Sequence, residues 1–421
     1  MVALARPAPL PAKAPAGQQA APWANFDRWS THPGVGLTPD VVNAVFRAAE
    51  GGILWRQADL FDDVVESDGH LRSLILGRRD AVAGKEWVIQ AGGKDEVSIA
   101  AAELLEEKLR DSLNFHEFLE HQLMAPYYGW SATEIDWGVD GNLVFPAYLA
   151  NAPHRRFVLG PGGELRIFGE RNTDGLPLIS GKWVVTVMPH HNLARAGLLR
   201  TCTWWALFKT MSVRDWVILA EKFGLPNVYG RYEETASEES RKALEKAVRD
   251  IGEAGQAVLS KATEIVISEV AQRGGNTQGL HQGLTALCEA QMSKLVSGAT
   301  LTMETGGPGS FALGRVHQAR SFALEVGDAM RLSHVFRQHI GVPFMRYNGL
   351  SGRAPRLKIQ VVQELDPKTR VEVASILANE LGAELDGSQL FDELGFRRPA
   401  RAEDTLRGTK NKAKEDVDAA E

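Results

Sequence analysis

Apolar positions recur along this chain with two different periods, and the change of period divides it into helical and β-rich stretches. Thr38-Pro39-Asp40 opens the first helix, with an N-cap, a proline in the first turn and an acid at the positive end of the helix dipole. That helix stops at Gly51-Gly52. Further patterns of helical period cover about Gln57–Glu66, Asp68–Val82, Glu96–Asp111 and Phe115–Tyr128, with a strand, Lys85–Gln90, containing Trp87. From Ser131 to Met188 the period shortens towards two. Thr133–Trp137 and Leu143–Tyr148 flank Val139-Asp140-Gly141-Asn142, and Arg156–Leu159 and Glu164–Phe168 flank Gly160-Pro161-Gly162-Gly163. Both read as hairpins, and Trp183–Met188 as a buried strand.

Leu198–Phe223 is different in kind. Trp204, Trp205, Leu207, Phe208, Met211, Val213, Trp216, Val217, Ile218, Leu219 and Phe223 place apolar groups on nearly every side of one helix. At 1.5 Å per residue it spans roughly 39 Å. A helix that is apolar all round is expected to be buried on all sides. One modest chain offers few places for that, whereas a ring of identical neighbours offers many, so the helix reads as a part for assembly. After Gly224-Leu225-Pro226 come a β segment at Val228–Tyr232, an acidic helix at Glu238–Arg249 and a second β segment at Ile265–Val270. Helix resumes over about Leu284–Met303. Thr305-Gly306-Gly307-Pro308-Gly309-Ser310 interrupts it before a long helix, Arg315–Ile340. A strand at Lys358–Gln363 and short helices at Pro367–Leu381 and Ser388–Leu394 follow. The first residues to Pro22 are Pro/Ala-rich and Lys410–Glu421 is highly charged; both are expected to be unstructured.

Composition narrows the functional classes. A chain of 421 residues has room for two or three domains with substantial cores. Lys and Arg number 47 against 53 Asp and Glu, a net charge of −6, so tight DNA binding by charge neutralisation is not expected. An acidic protein can still surround DNA without gripping it. Cys202 and Cys288 lie in apolar helical sequence and read as buried, reduced thiols. No apolar secretory leader is apparent at the start. Cys202–Ala220 is about long enough to span a bilayer, but Lys209, Arg214 and Asp215 inside it each cost several kcal/mol in lipid, which favours a soluble helix.

Candidate catalytic motifs fail on geometry. His116 and His121 invite a zinc-protease reading, but they are five apart, about 140° round a helix, and cannot share a face. An exposed polar helix face is the reading preferred for both. Pro189-His190-His191 lacks a third ligand and reads as a surface loop. Gly306–Gly309 leads into Leu313-Gly314-Arg315-Val316 rather than Gly-Lys-Ser/Thr, so it is no phosphate cradle. Its glycines free the backbone and its proline stops helix propagation, which suits either a mobile loop or an ordinary helix–helix turn. No catalytic residue, metal site or cofactor is called for.

Several stretches together resemble the portal proteins of Mu-like tailed phages. They are Ser67-Asp68-Gly69-His70-Leu71 through Arg78-Arg79 to Glu86-Trp87-Val88-Ile89, and Phe118–Trp137 with Tyr128-Gly129 before Glu134-Ile135. They continue with Trp216–Tyr232, including Glu221-Lys222-Phe223-Gly224-Leu225-Pro226 and Gly230-Arg231-Tyr232, and with His339-Ile340-Gly341-Val342-Pro343. The resemblance covers roughly 40–400. It implies an α+β, portal-type fold: a mixed α/β wing, a long helical stem, a small α/β clip and a short helical crown, assembled as a ring that is twelve-fold in mature virions.

Carried onto this chain, the resemblance implies an arm over 1–30, wing over 31–197, descending stem helix over 198–225, clip over 226–278 and ascending stem helix over 279–303. A channel loop would occupy 304–315, including Gly306, Gly307, Pro308, Gly309, Ser310 and Phe311, followed by wing again over 316–364, crown over 365–400 and tail over 401–421. Trp204, Trp205, Phe208, Met211, Trp216 and Leu219 would pack between subunits. Val228, Tyr229, Arg231, Tyr232, Ile265 and Ile267 would build the clip, whose strand edges can pair between neighbours. Lys294 and Arg315 are candidates for basic groups facing the lumen, with surface ion pairing as the alternative for each. The implied function is a structural conduit for double-stranded DNA at one capsid vertex, without sequence specificity or catalysis. Its implied partners are its own copies, the terminase large subunit, the major capsid protein and head-completion or adaptor proteins. Rival readings are another ring-forming connector or scaffold component, or a metal-dependent DNA-processing enzyme.

Overall fold

Thr38 caps the first helix as its sequence leads one to expect. Its hydroxyl accepts the amide of Val41, Pro39 fills the first turn, and α1 runs over Pro39–Glu50. The computed structural model describes residues 37–169, 172–224, 227–231, 237–254, 264–268, 275–298, 310–361 and 367–379. The chain divides into two units, 1–361 and 362–421.

In the first unit, α2 (Leu54–Ser67) and α3 (Gly69–Ala83) are separated by Asp68, whose carboxylate accepts the amide of Leu71 and so caps α3. The strand β1 (Trp87–Gln90) and the Asp95-capped helix α4 (Glu96–Arg110) follow. The single helix expected over 115–128 is two, α5 (Phe115–Gln122) and the short α6 (Ala125–Tyr128). Pro126 has no N–H to donate to the carbonyl four residues back, and the helix breaks just ahead of it. Gly129 ends α6 at φ 99°, with its amide on the carbonyl of Ala125.

Two antiparallel sheets occupy the β-rich stretch. β2 (Trp130–Asp140) and β3 (Leu143–Ala152) turn through Gly141-Asn142, with Gly141 at φ 57°, and β7 (Trp183–Val187) pairs with the other edge of β2. The second sheet is β4 (Phe157–Leu159), β5 (Leu165–Gly169) and β6 (Asn172–Pro177). No strand was singled out at β6; its Asp174-Gly175 and Pro177 are tolerated because the strand sits at the sheet edge.

The long helix α7 runs over Leu199–Gly224, close to its expected bounds. Beyond it lie β8 (Asn227–Arg231), α8 (Glu238–Ala254) and β9 (Glu264–Ser268). The returning helix α9 (Gly275–Val296) stops short of the expected Met303, where Gly298 turns the chain at φ 71°. The next helix, α10 (Ser310–Phe336), begins before the expected Arg315. Gly314, taken as part of a loop, lies inside it; one glycine costs a helix only about 1 kcal/mol. A π-helical turn, Arg337–Gly341, leads into α11 (Val342–Tyr347), and β10 (Arg356–Ile359) pairs antiparallel with β1. In the second unit the described element is α12, Pro367–Asn379. The helix expected at Ser388–Leu394 lies outside the described residues.

Two apolar cores lie on opposite faces of β2. Trp130 and Ala132 enter the first, with Phe46 of α1, Phe61 of α2, Leu71 and Ile75 of α3, and Met292 and Val296 of α9. Ile135 and Trp137 enter the second, with Leu105, Phe118, Phe336, Phe344 and Leu357. Thr133, also buried, is satisfied in a closed network. It accepts from the Gln122 amide at 2.8 Å and donates to Asn151 at 2.8 Å, while Thr186 donates to Gln122 at 2.6 Å.

Candidate assembly and channel site

The first half of α7 is amphipathic in its packing although not in its composition. Leu199, Cys202, Thr203, Ala206 and Leu207 form a buried stripe at helical spacing. On α9, Cys288, Met292 and Val296 form another, each fully buried. The expectation that α7 would be enclosed on every side is therefore not met within one chain. Val213, Val217 and Ile218 stand 40%, 52% and 41% exposed, and on α9 Leu280, Leu284 and Leu287 are exposed at spacings of four and three. These outward apolar positions have no covering element among the described residues.

The two helices run antiparallel, because Lys209 meets Glu289 whereas the later Ser212 meets the earlier His281. Lys209 is also tied to α3: its Nζ lies 3.1 Å from Asp68 Oδ1 and 2.8 Å from Glu289 Oε1. Burial alone would lower the Lys209 pKa, but the two carboxylates outweigh it and raise the value above that of an ordinary lysine. His70 adds a contact from α3 to the Ser293 hydroxyl at 2.9 Å. An open groove of about 840 Å³ lies beside this junction, lined by Leu37, Val64, Asp68, Lys209, Met211 and Val213.

The predicted positions fall out as follows. Trp204 and Trp205 are half-buried; Trp204 packs edge-on to Phe46 and within 6.2 Å of Phe208, which is 41% exposed. Met211 packs against the first core and Trp216 is half-buried, while the Leu219 side chain lies outside the described residues. Val228, Tyr229 and Arg231 sit on β8 and Ile265 and Ile267 on β9, and these strands pair with each other, Val228 opposite Ile267 and Gly230 opposite Ile265. One edge of each strand is thus used within the chain. Tyr232 and Gly306, Gly307, Pro308 and Gly309 lie outside the described residues. Ser310, Phe311 and Arg315 belong to the start of α10 rather than to a loop. Lys294 is exposed on the last turns of α9.

One assignment is overturned. His116 is exposed as expected, but His121 faces inward, its Nε2 3.2 Å from the carbonyl of Ala132. Its ring is 5.1 Å from buried His154, which stacks on Tyr128 at 3.8 Å. The reason is the five-residue spacing itself: it sends the two histidines to different faces of α5, and only one of those faces water. Burial pushes the His121 pKa down to about 4 and that of His154 well below its ordinary value. The Tyr128 hydroxyl donates to Asp62, whose carboxyl burial pushes up to about 6. His190 and His191 are exposed in a loop, rings 4.2 Å apart. Among the described residues no group of three or more His, Cys, Asp or Glu is placed to hold a metal, and no helix is long and apolar enough to cross a membrane.

Comparison with known proteins gives consistent results at the levels of sequence and fold. The family described as the portal protein of Mu bacteriophage matches residues 58–396. A Mu-like prophage protein, gp29, of Haemophilus influenzae is 29% identical over 395 residues, covering 88% of this chain and 70% of that protein. The portal protein of Escherichia phage Mu is 29% identical over 330 residues, covering 76% of this chain but 63% of its own length. Among solved structures, a chain from the neck of an empty gene transfer agent particle, computed with C6 symmetry, is similar at TM-score 0.52 and 13% identity. That likeness covers 81% of this chain and 93% of the other. A chain from the virion of a native gene transfer agent particle matches at TM-score 0.50 and 12% identity, over 85% and 94%. At such identities the likeness shows a shared fold and no more.

Proposed function

The chain belongs to the family of portal proteins of Mu bacteriophage, and from that premise we propose that it is the subunit of a phage portal ring through which double-stranded DNA is packaged and ejected. The ring would hold about twelve copies, joined head to tail so that the interface closes on itself. The observation that carries this reading is the open apolar surface of the α7–α9 pair: Phe208, Val213, Val217 and Ile218 on one helix and Leu280, Leu284 and Leu287 on the other. Exposed apolar surface on two adjacent helices is characteristic of an interaction site.

In this assignment α7 is the descending stem helix and α9 the ascending one. β8, α8 and β9 form the clip, and 304–315, with Gly306–Phe311, lines the channel. Residues 365–400 are the crown. Lys294 and Arg315 face the lumen as isolated basic groups, and the net charge of −6 lets DNA slide rather than stick. The terminase large subunit docks at the clip during packaging and head-completion or adaptor proteins take its place later, while the wing contacts the major capsid protein. The ring assembles in the host cytoplasm and resides in the virion. The role is structural, without catalysis.

Mass photometry and negative-stain imaging of the full chain near neutral pH test the reading. Rings with an axial hole and a mass of about a dozen subunits are expected. A stable monomer or dimer at micromolar concentration would overturn it.

A further inference from the structure

Arg78, in the middle of α3, reaches three distant parts of the chain at once. Its Nε lies 2.8 Å from Asp328 Oδ2 and its Nη2 3.1 Å from Asp328 Oδ1, a forked pair with α10. Its remaining terminal nitrogen, Nη1, donates at 2.7 Å to the carbonyl of Val296, the last residue of α9. Its guanidinium also lies 5.9 Å from the ring of Tyr127. Asp328 is buried and Arg78 largely so, with side chains 7% and 11% exposed. Burial alone would lower the Arg78 pKa, but Asp328 outweighs it and raises it, so the charge is permanent.

Val296 is where the chain leaves α9, and α10 is where it returns. Close to that point Ser321 donates to the carbonyl of Ser297 at 3.4 Å, and a Cβ added at Gly298 would lie 3.4 Å from both Arg320 and Leu324. A pocket of about 200 Å³ opens beside the Arg78 side chain, between Leu74, Gly77, Ser297, Ser321 and Leu324. The end of α9 is thus held by Arg78 beside an open pocket. A helix C-terminus has carbonyls without partners, and a cation there complements its negative end.

We propose that Arg78 is a positioning residue: it fixes the outgoing end of α9 against the incoming helix α10. That this junction bears on DNA passage rests on the portal reading; the anchor itself does not. Only an arginine supplies the fork for Asp328 and a further donor for Val296 in one rigid plane, which a lysine cannot do.

Two variants of the full chain separate positioning from plain stability. Arg78→Lys keeps the charge and loses the fork. Arg78→Met combined with Asp328→Leu leaves no buried charge unpaired and is expected to hold thermal stability at or above the original, yet cannot hold Val296. Hydrogen exchange of the amides of 293–298 is read beside the melting midpoint, ring mass and yield of DNA-filled particles. Exchange at the α9 end roughly tenfold faster in both variants is expected, with rings of unchanged mass and fewer filled particles. Unchanged exchange in the double variant would reduce Arg78 to an ordinary buried ion pair and overturn the proposal; normal filling despite faster exchange would overturn its bearing on DNA passage. If the original chain forms no rings, the portal reading fails while the exchange measurement still decides the anchor.

Discussion

His121 and His154 sit neutral beneath β2, and their burial makes the first unit sensitive to acid. Both have folded-state pKa values below the ordinary 6.5, His121 at about 4. A depressed value means stability that is complete above about pH 6.5 and is lost as pH falls towards 4, because the unfolded chain takes up protons that the fold refuses. For His121 alone this amounts to about 3 kcal/mol. Asp62 acts in the opposite direction: its carboxyl, raised to about 6, is relieved of charge below that pH and regains some stability. Two histidines outweigh one carboxyl, so the melting midpoint is expected to fall between pH 6.5 and 4.5, and His121→Gln to flatten that slope. A midpoint independent of pH in that range would refute it. At Gly129, φ is 99° and an added Cβ would come within 2.9 Å of the carbonyl of Leu193, so Gly129→Ala is expected to lower the melting midpoint by several degrees in a calorimetric scan. Neither site was legible beforehand. The spacing of His116 and His121 argued against a shared metal, but which helix face turns inward depends on β2, and no local pattern encodes that.

The helices were the most legible elements, because their apolar period and their caps agree. Thr38-Pro39-Asp40 and Asp68 each stand at the helix start they mark. Boundaries failed where a single residue overrode the period: Pro126 split one helix in two, Gly298 ended α9 early, and Gly314 was accommodated in α10. The apolar wrapping of α7 was visible from sequence, but not which side the chain itself covers, since Phe46 and Trp204 meet only in the fold. The covered stripe of α9 holds Cys288, Met292 and Val296, while Leu284, one turn before Cys288, and Leu287, beside it, stand exposed. Replacing those two leucines with glutamate is accordingly expected to leave the circular dichroism spectrum and melting midpoint almost unchanged while abolishing assembly in mass photometry. Loss of the fold itself would place them inside the subunit.

Across the whole first unit, the two cores share one strand. Trp130 belongs to one and Ile135 to the other, so β2 cannot lose its partners on one face without disturbing the opposite face. Thermal unfolding of the first unit is expected as one transition, with tertiary and secondary signals coinciding; two separated steps would contradict the shared strand. The α+β class and the portal likeness were readable from the sequence, because blocks in a fixed order outlast the drift of single residues. The pairing of β1 with β10 was not, since it joins segments from nearly opposite ends of the unit. Trp87 waits for Ile359, and Gln90 for Arg356. A chain emerging from the ribosome therefore carries an unpaired β1, and an unfinished second core, until almost all of the unit has been made. Fragments released early present neither a completed second core nor a seated α10, and the last-made residues of the unit decide whether the first-made ones are sheltered.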